Sequence, residues 1–531
     1  MAIANRTGRV IFWLVVIAVL TLFAILRAPY LEMPLERDEG TYLVLGNQVA
    51  QGATPYADVY EMKPPGLFYT YALLTAIGGY SFEGARAITL LLHLANAFLL
   101  FLLLYRARWL WGALGAMIAF LSLSMNPYFH GFALLPEPLM IVFFLSGILC
   151  LQFADGKSYR YVLAGVFLGS SFWIKQNMMF PLMFVGLLLL YRMIQSSDRD
   201  KKPLVYLIVG GLSVPVVTLL PIVFQGGWSD FYYWVWTYPR NIYTQSISWS
   251  SGYSYMMKVL ELSWSHLMIW VIAAALGFVF HFGLKQRLYG RATPLLFFVF
   301  SFLAVMPGLR FYGHYWMIVL PAISIGVGAF FEWVHQLLRL RFEQRLSAIA
   351  VFVLLLVGSA GHLYQQSKVY FSPNIEQWSR FSYGNNPFRE IHDIAEKLKE
   401  YASAGEDVVV MGSEPQLYVY LEATPFTPHV FITFLNKVHP RRGAMRAEFT
   451  SEVQKAEPKY MVFVNHPYSW SISNKDRKDV HQWAYRYAKN YYRPIGLYEM
   501  GGTVNDRKIW SEDPKQLQPR SQYYVQILIR K

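Results

Sequence analysis

Long apolar runs recur from one end of this chain to the other, and short basic segments separate most of them. A helix needs about 20 mostly apolar residues to cross a bilayer. The runs predict eleven membrane-spanning helices, at 10–26, 87–105, 110–125, 138–154, 161–174, 178–191, 203–224, 263–282, 292–306, 315–333 and 346–360. The fifth and sixth of these runs are short, which leaves open whether the chain is divided correctly there.

The segment between the first two spans is not a simple loop. A set of apolar residues at helical spacing predicts an amphipathic helix that lies at the membrane interface; these are Tyr42, Leu43, Leu45, Val49 and Ala50. The run 65–79 is apolar and aromatic but short for a span. It predicts a second helix, interfacial or partly embedded, so that 29–86 carries the interfacial helices of a membrane domain covering 1–366.

The last part of the chain, 367–531, is polar and has a different pattern. Runs at 407–411, 460–464 and 523–529 are typical of strands. One set of apolar residues after Pro387 follows helical spacing: Phe388, Ile391, Ile394, Ala395 and Leu398. Alternating strands and helices predict a small soluble α/β domain. The expected fold class is therefore a polytopic α-helical membrane protein with a C-terminal soluble α/β domain.

The basic residues predict how the chain is oriented. A formal charge of +14 could indicate nucleic-acid binding, but most of the positive charge lies in short loops between apolar spans. Cytoplasmic loops of membrane proteins are enriched in Lys and Arg, so these segments are expected inside. They carry Arg6, Arg9, Arg106, Arg108, Lys157, Arg160, Arg192, Arg199, Lys201, Lys202, Lys285, Arg287, Arg291, Arg339, Arg341 and Arg345. An odd number of spans then places the carboxy terminus outside.

With that orientation, every loop of unusual chemistry falls on the outer face. Asp38 and Glu39 are adjacent acids after the first span. Their mutual repulsion can raise the pKa of one and make it a base. The alternative is a solvated turn in which Arg37 neutralises one acid.

Two outer cations are candidates for binding phosphate. Lys63 precedes Pro64 and Pro65, which hold the chain extended, and its ammonium can bind a phosphate as a point charge. Arg310 can bind a phosphate through two N–H groups, with Tyr312 or His314 as further donors. The alternatives are a lysine that snorkels at a helix start and an aromatic belt with a snorkelling arginine.

Two further charged residues lie at outer helix ends. Glu137 stands between two prolines at the start of a span, where an acid is costly unless it is paired or functional; the alternative is an acid favoured by the helix dipole. Lys175 could add to a phosphate site or snorkel, and the pattern favours snorkelling slightly. The single cysteine, Cys150, excludes an internal disulfide and a thiolate zinc cluster.

At these residues the chain resembles the GT-C superfamily of membrane glycosyltransferases. The similarity is to the dolichyl-phosphate-mannose protein mannosyltransferase-like group, which includes the lipid A aminoarabinose transferases. It is carried by Asp38-Glu39-Gly40-x-Tyr42, Gly52-x-x-Pro55-Tyr56-x-Asp58, Lys63-Pro64-Pro65, Arg310-Phe311-Tyr312-x-His314-Tyr315 and Gly412-Ser413-Glu414-Pro415-Gln416-Leu417-Tyr418.

The resemblance implies sugar transfer from a polyprenyl-phosphate donor on the outer side of the membrane. It implies that Asp38 acts on the acceptor, with Glu39 beside it, and that Lys63 contacts the donor phosphate. The aminoarabinose transferases have a metal-binding acid just before that lysine, and here the residue is Met62. Acids stand nearby at Glu61 and Asp58, so a divalent metal stays an open question, and no cofactor is expected to be required.

The sequence hypothesis is an inverting glycosyltransferase of a bacterial cytoplasmic membrane, acting from an undecaprenyl-phosphate donor on an extracytoplasmic lipid, glycan or protein. Its partners are the lipid-linked donor, the acceptor and membrane lipids, with no nucleic acid. The tail domain is expected to help bind the acceptor. The expected residues are Asp38 and Glu39 for catalysis; Lys63, Arg310, Tyr312, His314 and Lys175 for donor phosphate; and Glu137, Tyr42, Glu61 and Asp58 for shaping the acceptor site.

The alternative is a flippase or transporter of lipid-linked sugars without transferase activity. Such a protein would be expected to carry charges near mid-membrane and an internal repeat, whereas here the charges gather at one face and no repeat is evident. A receptor-like or assembly protein would not need the Asp-Glu and Lys-Pro-Pro arrangement. The sequence does not identify the sugar, the acceptor or the oligomeric state.

Overall fold

The computed structural model describes residues 6–195, 201–244, 247–284, 290, 292–371, 374–402, 406–471, 479–500 and 507–531. Four basic residues used to predict the orientation lie outside these ranges: Arg199, Lys285, Arg287 and Arg291.

A helix occupies each of the eleven predicted spans. Within the described residues, seven helical segments are long and apolar enough to cross a membrane by length and composition, and three shorter apolar helices accompany them. The helices of this membrane body are α1 Arg6–Leu26, α2 Arg37–Ala50, α3 Pro65–Gly78, α4 Phe82–Arg106, α5 Leu110–Leu123, α6 Pro136–Gln152, α7 Ser158–Ile174, α8 Met179–Gln195, α9 Lys202–Phe224, α10 Trp228–Tyr232, α11 Trp249–Phe280, α12 Thr293–Leu303, α13 Leu320–Leu338 and α14 Gln344–Gln365.

The largest difference from the predicted spans is the start of α11. This helix begins at Trp249, well before the predicted start at 263, and Ser248 caps it by accepting a hydrogen bond from the N–H of Ser251. The first turns contain Ser250, Lys258 and other polar residues. A hydropathy pattern responds to apolar length and therefore misses helical turns that extend beyond the apolar run.

Helices α2 and α3 are the two helices predicted between the first spans, but α2 does not lie on a surface. Residues 39–46 are all buried, because α3 covers one side of α2 and the tail covers another. Gly46 permits the close approach of α3: a Cβ at this position would lie 2.6 Å from the carbonyl carbon of Tyr71. This helix was expected to lie at the membrane interface, but other parts of the protein cover nearly every face of it.

After α14 the chain forms an α/β tail around one mixed sheet. The strand order is β1-β2-β5-β3-β4; β1 is parallel to β2, and the other neighbours are antiparallel. The elements are α15 Ser367–Phe371, α16 Ile375–Tyr383, α17 Phe388–Tyr401, β1 Val408–Met411, α18 Gln416–Tyr420, α19 Thr433–Asn436, α20 Arg442–Ala456, β2 Tyr460–Asn465, α21 Pro467–Trp470, α22 Asp479–Tyr491, β3 Tyr492–Glu499, β4 Lys508–Trp510 and β5 Tyr524–Arg530.

The predicted parts of the tail coincide with β1, β2, β5 and α17. All five apolar positions predicted for one face of α17 are buried. Strand β3 was missed because it follows α22 without a break and contains Pro494, a residue that normally argues against a strand. The register shifts between Pro494 and Gly496, which indicates a bulge that accommodates the proline.

The tail docks directly on the start of α2. The Arg37 guanidinium donates to the carbonyl of Ser413 at 2.5 Å and pairs with a carboxylate oxygen of Glu414 at 2.7 Å. A Cβ on Gly40 would lie 2.5 Å from the backbone nitrogen of Gln416. The two motifs Asp38-Glu39-Gly40 and Gly412 to Tyr418 are thus the two sides of one contact.

We predict that Gly40→Ala destabilises the protein, whereas Gly443→Ala does not. Both glycines lie in helices, and alanine alone would favour a helix by roughly 0.5–1 kcal/mol. Gly443 has open space around its Cα, but the new methyl at Gly40 would meet backbone atoms of α18, and overpacking costs roughly 1–3 kcal/mol. Thermal unfolding followed by tryptophan fluorescence measures both effects, and equal unfolding midpoints would contradict the tight contact.

Candidate active site

Every residue from Glu36 to Gly40 except Asp38 has a side-chain or a close backbone contact with a structural partner. Glu36 caps α2 by accepting from the N–H of Glu39 at 2.8 Å, and the Glu39 side chain accepts from the N–H of Glu36 in return. Burial raises the pKa of Glu36 well above its ordinary value, and the charges of Asp38 and Glu39 raise it further. Asp38 is half-buried, and its carboxylate forms no hydrogen bond or ion pair with any described residue. It is therefore the carboxylate of this segment that can contact a substrate.

Glu39 is withdrawn from any open surface. Its two oxygens face the Arg86 guanidinium at 2.5 and 3.2 Å, and one of them also accepts from the N–H of Leu134 at 2.6 Å. Both side chains of this pair are buried. The catalytic part expected for Glu39 does not fit this position, because both oxygens are occupied and neither reaches solvent.

The Lys63 ammonium faces the same region as Asp38. It pairs with Glu61 at 2.9 Å and lies 5.6 Å from the ring centre of Tyr42. Burial opposes its charge, but Glu61 and Asp38 outweigh burial and raise the pKa of Lys63. The hydroxyl of Tyr56 donates to the backbone carbonyl of Lys63 at 2.6 Å and fixes the turn before α3.

Lys175 does not snorkel, contrary to the slight preference from sequence. Its side chain is 9% exposed and forms an ion pair with Glu137. The ammonium also lies 4.1 Å from the ring centre of Tyr315. Burial and the nearby charge of Lys63 lower the pKa of Lys175, although Glu137 acts in the opposite direction. The second oxygen of Glu137 is buried and has no hydrogen-bond partner among the described residues.

Arg310 joins the same group of residues through tyrosines. Its guanidinium lies 4.1 Å from the ring centre of Tyr243 and donates to the Tyr312 hydroxyl at 3.2 Å. The hydroxyls of Tyr243 and Tyr315 are 3.1 Å apart. A continuous series of contacts therefore runs from Arg310 through Tyr243, Tyr315 and Lys175 to Glu137.

Two imidazoles complete this side of the site. The rings of His314 and His130 are 6.1 Å apart, and His130 bonds the carbonyl of Ser382 at 3.3 Å. Burial lowers the pKa of His130 to about 4. The ring of His130 is therefore neutral near pH 7. Sequence reasoning missed His130, since a single histidine in an apolar loop carries no recognisable signal.

Two expected site residues stand apart. Asp58 is exposed, and its carboxylate accepts from the N–H of Thr54 at 2.8 Å, which closes a local turn. The structure does not bring Asp58 into contact with the other site residues it describes. Tyr312 is 45% exposed and borders the site beside Arg310.

Metal binding has no evident ligand set in the part of the chain that the structure describes. No group of three or more His, Cys, Asp or Glu side chains there could hold an ion. Glu61, the acid nearest to the position of Met62, accepts hydrogen bonds from Lys63 and from the N–H of Met62 through one oxygen.

Comparison with known proteins supports the fold. The family model described as dolichyl-phosphate-mannose-protein mannosyltransferase matches residues 62–221, which is less than half of the chain. A search of curated protein sequences found no match.

Three solved structures are similar across nearly the whole chain. ArnT from Cupriavidus metallidurans bound to undecaprenyl phosphate is 15% identical, covers 99% of this chain and 98% of its own, and has a TM-score of 0.57. The apo form of that protein is 14% identical, with 98% of each chain covered and a TM-score of 0.53. An Archaeoglobus fulgidus oligosaccharyltransferase tethered with an acceptor peptide is 12% identical over 97% of this chain and 76% of its own, but its TM-score of 0.48 supports no inference.

The predicted resemblance is confirmed at the level of fold. ArnT belongs to the GT-C group, and the described chain shares its architecture from end to end. The described residues therefore form a polytopic helical membrane body with a C-terminal α/β domain, in a fold similar to that of ArnT.

We predict that replacing Glu39 destabilises the protein strongly, whereas replacing the adjacent Asp38 hardly changes its stability. Glu39→Gln leaves the buried Arg86 without its counter-charge, and breaking a buried pair typically costs about 3–5 kcal/mol. Asp38→Asn removes no contact, so its effect on unfolding should stay within about 0.5 kcal/mol. Thermal unfolding of both variants tests this contrast, and a stable Glu39→Gln protein would show that the pair contributes little.

We predict that His130 makes the protein sensitive to acid. Because its pKa is about 4 in the folded protein and about 6.5 when unfolded, protonation favours unfolding as the pH falls through this range. At about pH 5 the expected loss from this group is roughly 2 kcal/mol. His130→Gln should lose correspondingly less stability than the wild type between about pH 7.5 and pH 5, as measured by unfolding midpoints. Equal acid sensitivity of the two proteins would contradict the assignment.

Proposed function

We propose that the protein is an inverting glycosyltransferase that moves a sugar from a polyprenyl-phosphate donor to a hydroxyl of an acceptor outside the cytoplasmic membrane. The observation that carries this proposal is the uncommitted carboxylate of Asp38 facing a set of cations. The charge of Asp38 acts on both Lys63 and Lys175, so the three groups share one site.

Asp38 is the general base in this proposal. It takes the proton of the acceptor hydroxyl as the acceptor oxygen attacks the anomeric carbon. The bond between that carbon and the phosphate oxygen breaks on the opposite face, and the electron pair leaves with the lipid phosphate. A single displacement of this kind inverts the configuration at the anomeric carbon.

The cations stabilise the negative charge that develops on the leaving phosphate. Lys63 donates one hydrogen bond to Glu61, and an ammonium has three N–H donors, so two remain for phosphate oxygens. Arg310 supplies a planar guanidinium suited to two phosphate oxygens at once. Lys175 is partly neutralised by Glu137 and adds a weaker positive field.

The membrane body also offers space for a lipid tail. An apolar cavity of about 460 Å³ lies among α6, α7, α8, α9, α12 and α13. Its walls include Phe144, Phe184, Leu188 and Phe297. The lining residues of α6 and α8 lie two or more turns from Glu137 and Lys175, toward Gly156 and Arg192. The cavity therefore suits the distal part of a long lipid tail and does not adjoin the charged groups of the site. The similarity to ArnT bound to undecaprenyl phosphate also supports a lipid-linked donor.

The neighbouring residues shape the acceptor side. Tyr42 and Glu61 border Lys63, while the unpartnered oxygen of Glu137 is available to a hydroxyl group. In this proposal Glu39 has a structural role and Asp58 lies outside the site. His314 and the neutral His130 can exchange hydrogen bonds with a sugar. The bacterial inner membrane and an outward-facing site are part of this proposal.

The test is sugar transfer by the purified protein in lipid bilayers, offered a panel of undecaprenyl-phosphate sugars and candidate acceptors. Asp38→Asn should lower turnover by at least ~100-fold, because a general base contributes about 10²–10⁴. Lys63→Met should lower it by roughly 100-fold through lost stabilisation of the leaving phosphate. Asp38→Asn should unfold like the wild type. Lys63→Met leaves the buried Glu61 without its cation, so it is expected to unfold more easily, and its turnover is measured at a temperature at which it is still folded.

Asp58→Asn is the matched control for Asp38→Asn. The change is the same, and an amide oxygen at position 58 can still accept from Thr54. Full turnover is expected for this variant. Full turnover of Asp38→Asn would refute the base assignment, and translocation of a lipid-linked sugar without release of undecaprenyl phosphate would favour the flippase alternative.

A further inference from the structure

A second large cavity lies at the opposite end of the membrane body from Asp38. Its volume is about 1090 Å³, and it is lined by the first turns of α1, the start of α5, the end of α13 and the start of α14. Helix α1 runs from this end toward the candidate site, where Arg27 after its last turn donates to the carbonyl of Gly131. The cavity and the candidate site are therefore separated by the length of a membrane-spanning helix.

Three arginines from separate elements surround this cavity. Arg108 lies in the turn between α4 and α5, Arg339 follows α13, and Arg345 lies in the first turn of α14. All three are exposed. The guanidinium groups of Arg108 and Arg345 form no hydrogen bond or ion pair with any residue that the structure describes.

The acids of the cavity do not cancel this charge. Glu332 is buried, and its oxygens accept from the Gln336 amide at 3.3 Å and from the N–H of Gly112 at 3.5 Å. Glu343 is exposed beside Arg345. The cavity thus has three guanidinium groups and two carboxylates, and the carboxylate of Glu332 is already hydrogen-bonded. The rim of the cavity therefore carries a net positive charge.

Apart from His335, Gln336 and Gln344, the remaining walls are mostly apolar, and part of them faces the bilayer. Ile11 of α1 and Ile349 of α14 line the cavity and are 56% and 60% exposed. Val15, Leu114 and Phe352 continue the apolar lining. A ligand can therefore enter from the side, between α1 and α14, with an apolar part against these residues and an anionic part at the arginines.

We infer that this cavity binds an anionic phospholipid of the leaflet opposite to the candidate active site. Basic pockets between membrane-spanning helices suit anionic lipid headgroups. The guanidinium fork of arginine matches the oxygens of a phosphodiester, and an acyl chain fits the wall formed by Ile11, Ile349 and Phe352. The site is independent of sugar transfer, because its residues are distant from Asp38 and Lys63.

Native mass spectrometry of the delipidated full-length protein tests this inference. The probes are phosphatidylglycerol, phosphatidylcholine and soluble glycerol 3-phosphate. We expect one phosphatidylglycerol to be retained at least about fivefold more than phosphatidylcholine, with no retention of glycerol 3-phosphate. Equal retention of the two lipids, or binding of glycerol 3-phosphate alone, would overturn the lipid site.

Two double variants locate the binding. Arg108→Gln with Arg345→Gln should reduce retention of phosphatidylglycerol at least about fivefold. Arg106→Gln with Arg160→Gln removes the same charge from loops on the same side, where Arg106 lies over Phe153 and Arg160 pairs with Asp155, and should leave retention unchanged. Equal losses in the two double variants would show general attraction by surface charge and would refute the site.

A cavity-filling variant provides an independent readout if the arginine variant does not fold. Ala348→Trp keeps every arginine but places a large ring in the half-buried part of the lining. Loss of the retained phosphatidylglycerol is expected. Unchanged retention in this variant, with normal unfolding, would show that the lipid does not occupy the cavity.

Discussion

The structure depends on the rule that a carboxylate taken out of water must be paired or hydrogen-bonded. Removing a charge from water costs several kcal/mol, and the end of the membrane body that carries Asp38 buries Glu36, Glu39, Glu61, Glu137 and Glu414. Glu36 accepts from a backbone N–H of its own helix, and each of the other four acids has a cation. Three of these pairs join segments that are distant in sequence: Glu39 with Arg86, Glu137 with Lys175 and Glu414 with Arg37. The fourth pair, Glu61 with Lys63, is local. These pairs hold α2, α4, α6, the end of α7 and the tail in one arrangement.

The candidate site consists of the charged groups that these ion pairs hold in place but leave available to a ligand. Asp38 stands between two residues that are held in place by other parts of the chain, so its backbone is fixed while its carboxylate stays available. The cations opposite are held by acids and tyrosines before any ligand binds. Groups that are positioned in advance lose little freedom on binding, and that is the condition under which they stabilise a developing charge effectively.

Sequence reasoning was reliable wherever the signal was local. Apolar length predicted a helix at each of the eleven positions, of which seven segments are long and apolar enough to cross a membrane within the described residues. Alternating or helical spacing predicted β1, β2, β5 and α17. It could not distinguish the role of Asp38 from that of Glu39, because the partners that bury and occupy the Glu39 carboxylate are Arg86 and Leu134, which lie far along the chain. It favoured snorkelling for Lys175 because Glu137 is 38 positions away. It missed His130 altogether, since only the folded chain brings that loop to His314.

The tail helps to hold the candidate site in place. This limits the experiments that can test whether the tail also binds the acceptor. Deleting the tail would remove Gln416 from Gly40, Glu414 from Arg37 and the Tyr420 hydroxyl from the N–H of Leu35. The start of α2 would lose its support, so lost transfer by such a truncated protein would say nothing about acceptor binding. Only changes in the tail that leave these contacts intact can separate recognition of the acceptor from support of Asp38.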